Sequence, residues 1–113
     1  MIAQVRPAAL AQWLEQARVH GEPVLLDVRE PHELQIASVK PDGFRLITIP
    51  MGVVPVRLSE LSTSQPIACL CHHGGRSMQV ASFLASRGFD NLANIAGGID
   101  AWSGELDSSI ARY

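Results

Sequence analysis

Cysteine is scarce in this chain: 113 residues hold two, Cys69 and Cys71. On one extended strand their Cα atoms would stand about 6.6 Å apart with side chains parallel. A disulfide wants Cβ atoms about 3.8 Å apart, so no bridge is expected and a disulfide framework is excluded. Charge of one sign is also missing. Nine Lys and Arg against eleven Asp and Glu give a formal net charge of −2, which provides no basic footprint for nucleic acid. No apolar run approaches the roughly 20 residues that span a bilayer, so no membrane partner is expected. The N-terminus, Met1-Ile2-Ala3-Gln4-Val5-Arg6-Pro7, lacks the charged-then-apolar layout of a signal peptide, and the expected setting is cytoplasmic. There is no internal repeat, low-complexity tract or linker.

What is present fits one compact domain spanning residues 1–113. The composition is 47% hydrophobic and 18% charged. At this size a chain buries roughly two-thirds of its unfolded surface, enough for a core without metal or disulfide support. Residues 8–18 carry Leu10, Trp13, Leu14 and Ala17 at helical spacing behind Pro7. Short apolar runs at Val24–Val28, Leu46–Ile49, Ile67–Leu70 and Leu92–Ile95 read as buried strands. Between them lie helical stretches: Glu30 to Ile36, a weak one over Val53 to Leu61, a strong one over Ser77 to Ser86, and at least a turn over Ile99 to Trp102. Strands alternating with helices predict an α/β fold with a parallel sheet and helices on both faces. Ligands bind such sheets outside the carboxyl ends of the strands, where Asp27, Arg29 and Cys71 fall. The tail after residue 105 lies outside this scheme and either frays or docks.

The richest segment is Cys71-His72-His73-Gly74-Gly75-Arg76-Ser77. It places a cysteine at a strand end, in a glycine-containing loop that opens a helix. Amides converge on such a point and the helix dipole adds positive potential, which favours a thiolate over a thiol. Cys71 is therefore the candidate nucleophile, while Cys69, inside the strand, is read as packing. Gly74 and Gly75 let the backbone turn. Arg76 is either a cation for a donor's oxyanion or the partner of a nearby carboxylate. Ser77 either caps the helix or donates to the sulfur, with capping the more economical role. His72 and His73 line the pocket mouth or the loop surface. With Cys71 they are consecutive, and three consecutive residues do not converge on one ion, so no metal is expected. Asp27 and Arg29 fall at a strand's carboxyl end, next in space to the loop, and Arg29 has a local alternative partner in Glu33, four residues on. Trp13 and Trp102 read as packing aromatics.

Three blocks taken together resemble the single-domain rhodanese family of sulfurtransferases: Leu26-Asp27-Val28-Arg29-Glu30-Pro31-His32-Glu33, Cys71-x4-Arg76-Ser77, and Ala96-Gly97-Gly98-Ile99-Asp100-Ala101-Trp102. The likeness covers about residues 5–104. It implies a rhodanese-like α/β fold with a mostly parallel five-stranded sheet. It also implies that Cys71 carries a sulfane sulfur as a persulfide, cradled by the amides of residues 72 to 77, with Asp27 and Arg29 in a polar network supporting the loop and with no cofactor. A small-molecule donor such as thiosulfate and a thiol, cyanide or protein acceptor follow from the same likeness. Residues 36–47 depart from the family's pattern, and their Pro41-Asp42-Gly43 turn signal predicts a hairpin or longer loop at the rim. Two rivals remain. One is a cysteine-dependent phosphatase or arsenate reductase-like enzyme, a class that typically has five residues between Cys and Arg where this chain has four. The other is a non-catalytic redox or binding module.

Overall fold

A computed structural model describes residues 2–113. Five strands form one sheet: β1 (Ile2–Val5), β2 (Val24–Asp27), β3 (Arg45–Thr48), β4 (Ile67–Leu70) and β5 (Leu92–Ile95). They lie in the order β1-β5-β4-β2-β3, and every neighbouring pair is parallel. The helices are α1 (Leu10–Ala17), α2 (Pro31–Ile36), α3 (Gly75–Ser86) and α4 (Gly98–Glu105), with a 3₁₀ stretch at Met51–Glu60.

The three central strands are buried at every position, as parallel strands covered on both faces must be. Alternation divides their side chains between two cores. Leu25, Ala68, Leu70, Ala93 and Ile95 pack with Leu10 and Leu14 of α1 and with Ile99 and Trp102 of α4. Val24, Leu26, Ile67, Cys69 and Leu92 pack with Val80, Ala81 and Leu84 of α3 and with Val54.

Several sequence expectations need correction. Residues 2–5 form a strand that no apolar run announces, because β1 is an edge strand with half-exposed positions. Of the hairpin or longer loop expected over 36–47, the loop is what forms: all pairing is parallel, so the chain crosses over, burying Ala37, Val39 and Phe44 on its way. The weak helix over 53–61 is a 3₁₀ stretch broken at Arg57, where φ is −111° and ψ is 17°. Pro55 inside it has no amide to continue an α-helical ladder. Helix α3 starts at Gly75, ahead of the expected Ser77. Of the two fates expected for the tail, fraying or docking, it takes the second: Ile110 is buried and its carbonyl accepts from the Ser103 hydroxyl at 2.6 Å.

Trp102 is 5% exposed and meets Phe44 edge-on, with ring centroids 6.3 Å apart. This contact fastens α4 to the crossover before β3. Trp102→Ala is expected to cost about 3–5 kcal/mol of stability, measured as a shift in the urea unfolding midpoint.

Candidate functional site

The parallel register brings the candidate residues to one end of the sheet. Asp27 lies opposite Leu70 on one side and Thr48 on the other. The Val28 amide continues the ladder by donating to the Leu70 carbonyl at 2.9 Å. Cys71 follows at once and keeps the parity of Ile67 and Cys69, so its side chain belongs to the core on the α3 side. It is 1% exposed.

The loop after Cys71 is shaped from outside. The amides of Ile99 and Asp100, in the first turn of α4, donate to the carbonyls of Cys71 and His72 at 2.9 and 3.1 Å. These contacts hold both carbonyls toward α4. Such close approach requires Gly98. Its φ is 61°, and a Cβ there would collide with the His72 and Cys71 carbonyls. Gly74 caps α3 with φ at 111°, and its amide donates to the Cys71 sulfur at 3.1 Å. The first-turn amides of α3 that follow have no intrahelical acceptor, so they point positive potential toward the same end.

Ser77 does not cap this helix. It sits in the first turn, fully buried, with its hydroxyl 3.2 Å from the Cys71 sulfur and 2.5 Å from Asn94 Oδ1. Gly74 takes the cap because only the left-handed conformation lets the chain enter α3 there. A hydroxyl has one proton and can also accept. When it donates to Asn94 it accepts from the Cys71 thiol, and by rotating it can donate to a thiolate instead. The Asn94 amide nitrogen donates to the Gly74 carbonyl at 3.2 Å and to Gln4 Oε1 at 3.0 Å, tying β5 and β1 to the loop.

Arg76 is the partner of a carboxylate. Its Nη1 and Nη2 donate to the two oxygens of Glu33 at 2.6 and 2.8 Å. Glu33 also accepts from the Glu30 amide at 3.0 Å, in a capping box that starts α2, and from the Tyr113 hydroxyl at 2.8 Å. The Arg76 hydrogen bonds, more than any opposing burial, hold the Glu33 carboxyl far below the usual carboxylate range, and the pair raises Arg76 in turn. The alternative local pairing of Arg29 with the Glu33 carboxylate does not form; of Glu33, Arg29 reaches only the carbonyl, at 3.4 Å. Arg29 folds back on Asp27 instead, with Nη2 to Oδ2 at 2.7 Å and Nε to Oδ1 at 2.9 Å. Its Nη1 donates to the Tyr113 hydroxyl at 3.0 Å. Burial works against the Arg29 charge, but Asp27 and Tyr113 outweigh it and raise its pKa.

The His72 ring stacks on two others, with centroids 3.8 Å from His73 and 3.8 Å from Tyr113, and lies nearly parallel to the latter at 8°. Its Nε2 is buried and unpartnered among the described residues. Cys69 stays inert: burial, helped by its neighbour Cys71, pushes its thiol up to about 12. Gly75 opens α3 on the exposed side.

Sequence reasoning missed four contributors: Glu33 as the Arg76 partner, Asn94, Gly98 and Tyr113. Asn94 carried a readable signal, as the one polar side chain in the Leu-Ala-Asn-Ile strand. Tyr113 carried none, since its contacts span 80 residues of chain to Glu33.

The rhodanese-like domain model matches residues 7–105. The chain belongs to the rhodanese-like domain family. A sulfurtransferase of Allochromatium vinosum is 30% identical over 103 residues, covering 91% of this chain and 90% of that protein. The rhodanese-like/PpiC domain-containing protein 12 of Arabidopsis thaliana, a chloroplastic protein, is 45% identical over 94 residues, 81% of this chain. This chain spans only 31% of that relative's length. A rhodanese-related protein from Thermoplasma volcanium superposes with a TM-score of 0.75 at 30% identity, covering 92% of this chain and 93% of its own. The rhodanese-like fold thus accounts for the five-stranded parallel sheet. No helix among the described residues is long and apolar enough to cross a membrane.

Two outcomes are expected. Gly98→Ala pushes against the Cys71 and His72 carbonyls, and a displacement of about 1 Å at the loop lowers the rate of any reaction at Cys71 about a hundredfold; alkylation and turnover kinetics read it. The second concerns acid. Because the folded-state pKa of Glu33 is depressed, its contribution to stability is present above its unfolded value of about 4.3 and is lost as pH falls toward the folded value. Glu33→Gln should therefore lose stability less steeply than the wild type below about pH 5, read as urea midpoints across pH.

Proposed function

We propose that this protein is a sulfurtransferase that carries a sulfane sulfur on Cys71. The observation that supports this best is the Gly74 amide donating to the Cys71 sulfur at 3.1 Å, within a loop whose carbonyls are held away by α4. In the first half-reaction the Cys71 thiolate attacks the outer sulfur of a donor. A new S–S bond forms, the donor's own bond to that sulfur breaks, and the electron pair leaves on the departing group, which is sulfite when the donor is thiosulfate. The terminal sulfur of the persulfide carries negative charge, which amides at a helix N-terminus stabilise. In the second half-reaction an acceptor attacks the outer sulfur and the Cys71 thiolate returns. Cyanide serves in the test tube, and a small thiol or a protein thiol in the cell.

The Allochromatium vinosum relative's name points the same way, and that protein aligns with nearly all of this chain. His72 to Ser77 form the loop around the transferred sulfur, and Asp27 and Arg29 support it through Tyr113 and Glu33. Two unbridged cysteines suit a reducing compartment such as the cytoplasm. No metal or organic cofactor has a part in either half-reaction.

The test is mass spectrometry of the purified chain after exposure to thiosulfate or inorganic polysulfide, followed by cyanide. The wild type gains the mass of one sulfur and releases it as thiocyanate. Cys71→Ser gains nothing, while Cys69→Ser keeps most of the transfer. The reverse pattern would overturn the assignment. So would appreciable hydrolysis of aryl phosphates without sulfur transfer, because a phosphoryl group with three peripheral oxygens needs a wider ring than the four residues between Cys71 and Arg76 provide.

A further inference from the structure

A sulfur donor brings charge to the mouth of the Cys71 loop, and the arginines bordering that mouth are already matched. Arg76 spends Nη1 and Nη2 on both oxygens of Glu33. Glu33 is filled from two further sides, by the Tyr113 hydroxyl and the Glu30 amide. The Glu33 side chain is 8% exposed, so drawing Arg76 toward a ligand strands a carboxylate away from water. Arg29 is locked to Asp27, with side chains 0% and 2% exposed. Arg6 pairs with Glu105, and Arg112 with Asp100 at 3.1 Å. Among the described residues Arg76 and Arg29 are thus held in ion pairs with a nearly buried carboxylate, while the Arg6 and Arg112 side chains are 56% and 59% exposed.

Donors differ in what they ask of such a rim. Thiosulfate is a dianion and sheds a second dianion, sulfite. An uncompensated cation would favour both its docking and the release of its leaving group. A sulfur borne on a thiol, R–S–SH, brings at most one charge on the reacting group and sheds a thiol. The Gly74 amide serves the sulfur at Cys71 in either case.

We infer that the Cys71 site takes its sulfur from thiol persulfides in preference to thiosulfate, and that Glu33, by neutralising Arg76, is the residue that sets this preference. The inference rests on the sulfur-transfer reading above. The step balances without an outside oxidant or reductant. The Cys71 thiolate attacks the outer sulfur of R–S–SH, the donor's S–S bond breaks, and its electron pair leaves on the inner sulfur. The proton passes to that sulfur, giving RSH and the Cys71 persulfide anion. Glu33 acts here as a positioning residue, holding a charge out of the substrate's reach.

The experiment compares glutathione persulfide with thiosulfate as donors to the purified full chain, following the sulfur gained by Cys71 and turnover to an acceptor. The wild type is expected to show kcat/KM at least about tenfold higher with the persulfide, and sulfate, a dianion that cannot donate sulfur, should not compete with it. Glu33→Gln leaves the Arg76 charge uncompensated and lowers KM for thiosulfate by about tenfold, narrowing the ratio between donors. A role in folding alone would move both donors together. The inference is overturned if thiosulfate is the better donor and Arg76→Ala raises its KM, or if the donor ratio is the same in Glu33→Gln. Should that variant not fold, millimolar sulfate competing with either donor in the wild type overturns it equally. Failure of both donors to place sulfur on Cys71 would instead sink the sulfur-transfer reading itself.

Discussion

The two hydrogen bonds from the first turn of α4 to the carbonyls of Cys71 and His72 are the constraint on which the loop's shape depends. A loop can present its amides inward only if its carbonyls find donors elsewhere. Here the N-terminal amides of a neighbouring helix are those partners, and they too would otherwise lack an acceptor. Each element satisfies what the other leaves open. Gly98 permits it, because any side chain at that position would occupy the space of the His72 carbonyl.

Around this clamp the structure spends its charges in pairs. Asp27 with Arg29 at the end of β2, and Glu33 of α2 with Arg76 of α3, lie at the sheet's carboxyl end, and the Tyr113 hydroxyl bridges the two pairs, accepting from Arg29 and donating to Glu33. Removing Arg76, Arg29 or Asp27 leaves a nearly buried charge without compensation. The arrangement also joins the chain's last residue to its loop, since the Tyr113 ring stacks on His72. A buried, matched network of this kind contributes a defined geometry more than net stability.

The two cysteines show how position alone divides chemistry. They are two residues apart and share a face. Cys69 lies within β4, where desolvation suppresses its thiolate. Cys71 lies one residue beyond the strand's end, where the backbone has turned and an amide reaches its sulfur.

Periodicity and punctuation made the central strands, α1 and α3 legible, because those segments bury a continuous or one-sided apolar surface that composition alone reports. They also made Cys71 and its glycines legible, since a cysteine between a buried strand and a helix start is a local pattern. β1 was not legible, as an edge strand carries no buried run. Which carboxylate Arg76 would meet, and where Arg29 would turn, depended on how α2, α3 and the tail pack. So did the roles of Asn94 and Gly98. The sequence by itself determined the alternation of strand and helix and the placing of a thiol at a strand's end, both matters of neighbours along the chain. Only the tertiary structure decided the ion pairs, the clamp from α4 and the stacking of Tyr113, because those contacts join residues brought together solely by the order of strands in the sheet.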